Sequence, residues 1–84
     1  INGVRETIDY IDNHILVLLK ERFEQVKKIK DIKIQNKISI LDLDRETYIY
    51  DNIYKLYPEY YVYFKPIYKV IIKESKSNKK IISL

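Results

Sequence analysis

Apolar residues recur along the first part of the chain at alternating steps of four and three. We call these positions the apolar stripe: Val4, Ile8, Ile11, Ile15 and Leu18, followed in the same series by Ile29 and Ile32. Neither Gly nor Pro interrupts them, so the spacing predicts one helix from about Val4 to about Ile34. This helix would be roughly 45 Å long, which is longer than a compact domain of 84 residues is wide. Because a long apolar stripe needs a covering surface, we predict an oligomer, most simply a dimer that pairs these helices.

A second, shorter helix is predicted beyond residue 41. Asp42 or Asp44 can cap it, because an Asp side chain accepts hydrogen bonds from the unpaired N–H groups of a first turn. The helix should end near Tyr57 and Pro58. Its apolar face carries Ile49, Ile53 and Leu56.

A third helix is predicted after Pro58, reaching to about Lys80. Pro66 removes one helical hydrogen bond, so the helix should either kink at this residue or begin there. One face of this helix then carries Tyr68, Ile71, Ile72, Ser75 and Lys79.

The composition favours an all-α fold with a single domain over residues 1–84. One Gly and two Pro leave few tight turns, whereas an all-β sandwich or barrel needs many. The chain has no Cys and one His, His14, which excludes disulfides, thiolate metal sites and a multi-His site within one chain. We therefore predict no metal site of these two kinds within one chain.

The pattern of apolar runs and charges points away from a membrane. The longest uninterrupted apolar run, residues 15–19, is too short to span a bilayer, and no signal-peptide pattern precedes it. We expect a cytoplasmic protein, although a chain that begins at Ile1 and contains no Met leaves open a longer polypeptide. The formal net charge of +4 permits an anionic partner.

Several polar residues occupy positions where periodicity demands apolar ones. The stripe continued from Leu18 reaches Arg22, and Lys33, about three turns further, projects from nearly the same side. Glu46 lies on the apolar face of the second helix, next to Arg45. A buried charge needs a partner, so Arg22 and Glu46 could simply pair with each other. Alternatively, Arg22, Lys33 and Arg45 line a pocket for an anionic ligand. In that pocket, Glu46 would accept a hydrogen bond from the ligand.

A set of spaced motifs resembles the AroQ-class chorismate mutases over residues 4 to about 79. The motifs are Arg5-x6-Asp12, Leu18-Leu19-x-Glu21-Arg22, Lys33 after ten further residues, Asp42-x2-Arg45-Glu46 and Ile71-Ile72-x-Glu74-Ser75. The resemblance implies an intertwined, all-helical homodimer with two equivalent sites at its interface. It also implies the pericyclic rearrangement of chorismate to prephenate, in the synthesis of phenylalanine and tyrosine, without a cofactor.

The resemblance implies roles for the cationic residues. Arg22 would bind a carboxylate of the substrate, and Arg5 would reach in from the other protomer to bind the second. Lys33 would donate to a carboxylate and to the ether oxygen. Arg45 would orient the acidic groups and contact a carboxylate.

The remaining roles fall on the acidic residues and on the third helix. Glu46, together with the backbone at Asp42, would accept a hydrogen bond from the ring hydroxyl, and Ser75 would contact the ring carboxylate. Lys79 departs from the family, which usually places Gln there to donate to the ether oxygen. Lys79 keeps the donors and adds a charge, so we expect it to stabilise the negative charge that develops on that oxygen.

Two other functions remain open from the sequence. Isochorismate pyruvate lyase has the same fold and most of the cationic pocket, but the intact Asp42-x2-Arg45-Glu46 element favours the mutase. A basic helical module that binds nucleic acid or another helix is also compatible with the positive charge. Its basic cluster at residues 27–30 is interleaved with anions, and no recognition-helix motif is present, so we expect no nucleic-acid partner.

Overall fold

Helices account for nearly all of the chain that the computed structural model describes, namely residues 1–35, 43–77 and 79. In order, the elements are α1 (Asn2–Gln35), α2 (Leu43–Leu56), a single 3₁₀ turn (Pro58–Tyr60) and α3 (Tyr61–Ser75). The described ranges contain no strand. The prediction of an all-α chain with one long and two shorter helices is therefore confirmed.

Helix α1 has 34 residues, which corresponds to about 51 Å of helix. Its first turn is anchored by the Arg5 N–H, which donates to the carbonyl of Ile1, and by the Thr7 hydroxyl, which donates to the carbonyl of Gly3. None of its residues is buried. The side chains of the apolar stripe stay 47–65% exposed, which is unusual for such a long series of Ile, Leu and Val side chains.

The chain divides into two units, Ile1–Lys37 and Ile38–Leu84. The first contains α1, and the second contains α2, the 3₁₀ turn and α3. Only the second has buried side chains among the described residues, which are Ile53, Ile72 and Ser75. The expectation of a single domain over residues 1–84 stays a prediction.

A small core forms where α2 packs against α3. Ile53 from α2 and Ile72 from α3 are each less than a tenth exposed. Ser75 is equally buried, and its hydroxyl donates to the carbonyl of Ile71 at 2.6 Å. The buried hydroxyl thus has the hydrogen-bond partner that a polar group in a core requires.

Aromatic rings hold the connection between α2 and α3. Tyr54 packs edge-on against Tyr61 with ring centroids 5.3 Å apart, and Tyr57 packs edge-on against Phe64 at 5.9 Å. Tyr60 stacks on the same Phe64 ring at 5.8 Å. Edge-on and offset-stacked pairs are the favoured arrangements of aromatic rings, so this cluster stabilises the turn beyond the area that it buries.

Two alternatives that the sequence left open for the shorter helices are narrowed. Asp44 lies within the first turn of α2 and is not its cap, while Asp42, the other candidate, lies outside the described residues. Helix α3 runs through Pro66 from Tyr61, so it does not begin at the proline.

The predicted extension of the third helix to Lys80 is wrong, because α3 ends at Ser75. The Ser77 hydroxyl and the Ser77 N–H both donate to the carbonyl of Glu74, at 2.8 and 3.1 Å. Serine side chains compete in this way with the helical hydrogen-bond pattern. The last turn is therefore closed by a serine instead of being continued.

Candidate active site

An open groove of about 430 Å³ lies on the α2–α3 unit, and we call it the α2–α3 groove. Its volume is in the range of small-molecule sites. Glu46 and Tyr50, one turn apart on α2, line one side. The other side comes from α3 and the residues after it, and its lining residues are Lys69, Ile72, Lys73, Lys76 and Ser77.

The charges of the α2–α3 groove favour an anionic ligand. Lys69, Lys73 and Lys76 follow one another at steps of four and three, which places them on one face of the helical path. Glu46 is the single carboxylate among the lining residues. Three lysines against one glutamate give the lining residues an excess of positive charge.

Glu46 and Lys76 form an ion pair across the α2–α3 groove, in which the Lys76 ammonium donates to Oε1 of Glu46. The Glu46 side chain is only 21% exposed. A polar group that is largely withdrawn from water normally has a hydrogen-bond partner, and Lys76 supplies it here. The predicted hydrogen-bond acceptor is thus present in the groove and bound to a cation that the sequence motifs did not include.

The other predicted residue of α2, Arg45, is exposed at the surface. Its guanidinium carbon lies 5.0 Å from the centre of the Tyr48 ring, which is a cation–π distance. Arg45 is not a lining residue of the α2–α3 groove. Asp42, the neighbouring candidate, lies outside the described residues.

Three predicted cations lie on α1 and belong to the other unit. Arg22 and Lys33 are half-buried and eleven residues apart, which is about three turns, so they project from similar sides of the helix. Arg5 is exposed and lies seventeen residues before Arg22, roughly 26 Å along the helix axis. The relative placement predicted for Arg22 and Lys33 is therefore present within α1, and their roles toward a ligand stay predictions.

Ser75 and Lys79 were predicted to lie one turn apart on α3, but only Ser75 is helical. The Ser75 hydroxyl donates to the carbonyl of Ile71 in the preceding turn of α3, and Ser75 does not line the α2–α3 groove. Lys79 follows the helix with a 74% exposed side chain, and its ammonium donates to Oε2 of Glu74 at 2.6 Å. The expected helical register of Lys79 is thus wrong, and its catalytic role stays a prediction.

The pair formed by Lys79 changes the acidity of its partner. The hydrogen bond from Lys79 holds the pKa of Glu74 below its ordinary value of 4.5. The positive charges of Lys79 and Lys73 lower this pKa further, and the partial desolvation of the carboxyl group opposes them. Glu74 therefore keeps its negative charge, and its hold on Lys79, to lower pH than an isolated glutamate would.

The sequence motifs missed the lysines of the α2–α3 groove. Lys69, Lys73 and Lys76 have helical spacing, which was a readable signal, and Lys76 directly follows the predicted Ser75. The ion pair between Lys76 and Glu46 joins residues thirty positions apart. No helical periodicity encodes a contact over that separation, so only the packing of α2 on α3 reveals it.

Comparison with known proteins settles which family this arrangement belongs to. The sequence model of the family described as chorismate mutase type II matches residues 4–80. The chain belongs to this family. The resemblance to the AroQ-class chorismate mutases is thereby confirmed, and the chain is an isomerase of the chorismate mutase type.

A curated relative agrees with this assignment to chorismate mutase type II. The chorismate mutase of Methanocaldococcus jannaschii is 41% identical over 80 residues, which cover 92% of this chain and 81% of that protein. No solved structure matches the chain.

Two kinds of feature are absent from the described part of this chorismate mutase type II chain. Within residues 1–35, 43–77 and 79, no group of three or more His, Cys, Asp or Glu side chains could hold a metal ion. None of the helices in the same ranges has the length and apolarity needed to cross a bilayer.

Proposed function

We propose that this chain rearranges chorismate to prephenate in the cytoplasm, as a homodimer whose two sites each use residues of both protomers. The observation that carries the activity is the family match over residues 4–80. The α2–α3 groove supports it, because a lysine-rich groove with one fixed carboxylate suits a dianionic substrate that also carries a ring hydroxyl.

The chemistry of this rearrangement makes modest demands on side chains. It is unimolecular, so it requires neither a nucleophile nor a second substrate. The enzyme has to hold the substrate in a compact, chair-like conformer and aim hydrogen-bond donors at the ether oxygen as negative charge develops there. A site built from Arg and Lys with a few acceptors can supply both.

The proposed dimer rests on the apolar stripe of α1. Burying an Ile, Leu or Val side chain contributes about 1.5–3 kcal/mol, and the stripe offers seven such side chains that are about half exposed. An antiparallel copy of α1 would cover them. It would also bring Arg5 of the partner subunit close to Arg22. Within one helix, these two arginines lie roughly 26 Å apart along the axis.

The proposed roles follow the family resemblance. Arg22, Lys33 and Arg45 would bind and orient the carboxylates together with Arg5 of the partner subunit, and Lys33 would also donate to the ether oxygen. Glu46 and the backbone at Asp42 would accept from the ring hydroxyl.

Two proposed roles require movement near the end of α3. Ser75 would have to turn its hydroxyl away from Ile71 to reach the ring carboxylate. The Lys79 ammonium has three N–H donors and gives one to Glu74, so another would have to reach the ether oxygen when the substrate binds. Turning the Ser75 hydroxyl replaces one hydrogen bond by another, so its net free-energy cost is modest.

The test is an ultraviolet assay of chorismate loss with the purified chain, combined with product analysis. We expect prephenate to accumulate as chorismate disappears. No loss of chorismate at micromolar enzyme would refute the activity. Pyruvate released from isochorismate, without prephenate from chorismate, would favour the lyase, and salt-sensitive DNA binding without chorismate affinity would favour the binding module.

A further inference from the structure

Lys76 occupies a fixed position at the end of α3. Its N–H donates to the carbonyls of Ile72 and Lys73, both at 3.2 Å, which ties the backbone of Lys76 to the last turn. From this anchored position its ammonium reaches Glu46 on α2. The ion pair therefore joins two helices at the α2–α3 groove.

The ion pair constrains the carboxylate of Glu46. Lys76 donates to Oε1, and a carboxylate has two oxygens that can accept several hydrogen bonds in all. Binding one oxygen limits rotation of the carboxylate and leaves accepting capacity on the other. A charge-assisted hydrogen bond of this kind is stronger than a neutral one and holds its geometry better.

We infer that Lys76 is a positioning residue of the mutase reaction. It fixes the Glu46 carboxylate in the α2–α3 groove, so that Oε2 accepts from the ring hydroxyl of the bound substrate. This inference rests on the proposed function, and it adds to it a residue that the family motifs in this sequence do not include.

Lys76 suits this role better than Lys79. The ammonium of Lys79 is held by Glu74, and its side chain is 74% exposed, against 38% for Lys76. Lys76 also lines the α2–α3 groove, whereas Lys79 does not. By neutralising Glu46, Lys76 leaves Lys69 and Lys73 to attract the carboxylates of a dianion.

The decisive experiment is a double-mutant cycle between Lys76→Met and Glu46→Gln, measured by chorismate turnover. Methionine keeps the unbranched length and removes the charge. We expect Lys76→Met to lower kcat/KM about 10- to 100-fold, because misplacing a catalytic group by about 1 Å costs up to that much. In the Glu46→Gln background the same change should cost less than about 3-fold, since two residues that act as a unit are not additive.

The pattern of kinetic constants separates positioning from a merely structural or electrostatic role. The loss in Lys76→Met should be divided between kcat and KM in the same way as the loss in Glu46→Gln. Lys76→Arg, which keeps the charge, should have most of the activity of the parent chain. Loss of a general positive charge would instead raise KM alone. Lys65→Met, on the exposed surface of the same helix and outside the groove, is the matched control and should stay within about 2-fold of the parent chain.

The outcomes keep this inference distinct from the proposed function. Turnover by the parent chain is measured first, and its absence overturns both. If the parent chain turns over chorismate and Lys76→Met is as active as the parent, only the role of Lys76 is overturned. The same holds if the losses of the two single variants simply add in the double variant. Far-UV circular dichroism checks that each variant is folded, and Lys76→Gln replaces Lys76→Met under the same criteria if helix is lost.

Discussion

Helix α1 and the α2–α3 unit differ in how far their apolar side chains are buried. The α2–α3 unit buries Ile53 and Ile72 against each other's helices and builds a groove from its own side chains. Helix α1 has more than twice the length of either shorter helix and contains no fully buried residue. The stability of a helix in water comes mainly from packing of its apolar face. The α2–α3 unit thus contains part of its own stabilisation, and the proposed dimer would supply that of α1.

The largest effect is expected from a charge in the middle of the apolar stripe. Ile15→Asp should abolish the proposed dimer and most of the helix content. It removes about 1.5–3 kcal/mol of apolar burial per dimer, because Ile15 is 47% exposed before pairing, and it adds two unpaired carboxylates. Sedimentation and far-UV circular dichroism measure both losses. Lys20→Asp is the control, because Lys20 lies off the stripe and is exposed. A stable dimer of the Ile15→Asp variant would contradict the proposed interface.

A large effect is also expected when two arginines of α1 are removed and the variants are then combined. Arg5→Ala and Arg22→Ala should each lower kcat/KM about 100- to 1,000-fold. Unfolding and refolding them together at equal concentrations should restore about one quarter of the parent activity, because half of the dimers are mixed and each has one intact site.

The mixing experiment has a clear negative outcome. If both arginines acted within one protomer, every site of a mixed dimer would lack one of them. The mixture would then stay as inactive as its components. Mixing Arg22→Ala with Arg22→Ala prepared in the same way controls for activity gained by refolding alone.

A smaller effect is expected from the core of the α2–α3 unit. Ile53→Ala should lower the free energy of unfolding by about 2–4 kcal/mol, through lost burial and a cavity. The proposed dimer should persist, because Ile53 does not belong to the apolar stripe. Denaturant unfolding at two protein concentrations measures both properties. Dissociation of this variant at the concentration where the parent chain is dimeric would mean that the two regions are not stabilised separately.

A modest effect is expected from Lys79 at the end of the same unit. Lys79→Ala should lower kcat about 10-fold if its ammonium reaches the ether oxygen. Glu74→Gln, which weakens the hold on Lys79, should leave kcat unchanged or raise it slightly. Unchanged turnover in Lys79→Ala would remove Lys79 from the mechanism and leave Lys76 as the lysine beyond Ser75 that acts at the groove.

The smallest effect concerns the pH dependence of the pair formed by Glu74 and Lys79. The pKa of Glu74 is lowered in the folded chain, so the pair stabilises the fold above the unfolded pKa, near 4.5, and loses this contribution as pH falls through the folded value. The Tm of Glu74→Gln should therefore lie slightly below that of the parent chain at pH 7. The difference should vanish in stronger acid. A difference that persists there would point to packing and not to charge.

The sequence predicted α1 well because the signal was long and regular. The stripe repeats over some thirty residues, and the observed helix extends the predicted one by two residues at its start and one at its end. The end of α3 was predicted wrongly because no apolar residue follows Ile72 before residue 81. In such a polar stretch the hydroxyl of Ser77 decides where the helix ends.

The candidate site was predictable to the extent that it is local. The face that Arg22 and Lys33 have in common follows from helical spacing, and so does the position of Glu46 beside the core of α2. The partner of Glu46 did not follow, because Lys76 approaches it only once α2 has packed on α3. Likewise, the hold of Glu74 on Lys79 depends on the chain leaving the helix after Ser75.

The aromatic cluster at the turn between α2 and α3 is an intrinsic spectroscopic probe. The chain has nine Tyr and no Trp, and Tyr10 is the single tyrosine of α1. Tyrosine absorbance and emission therefore report almost entirely on the α2–α3 unit. Far-UV circular dichroism, in contrast, is weighted toward the 34 residues of α1. Two ordinary spectroscopic signals can thus follow the two halves of one unlabelled chain, and a lag between them during unfolding would show which half comes apart first.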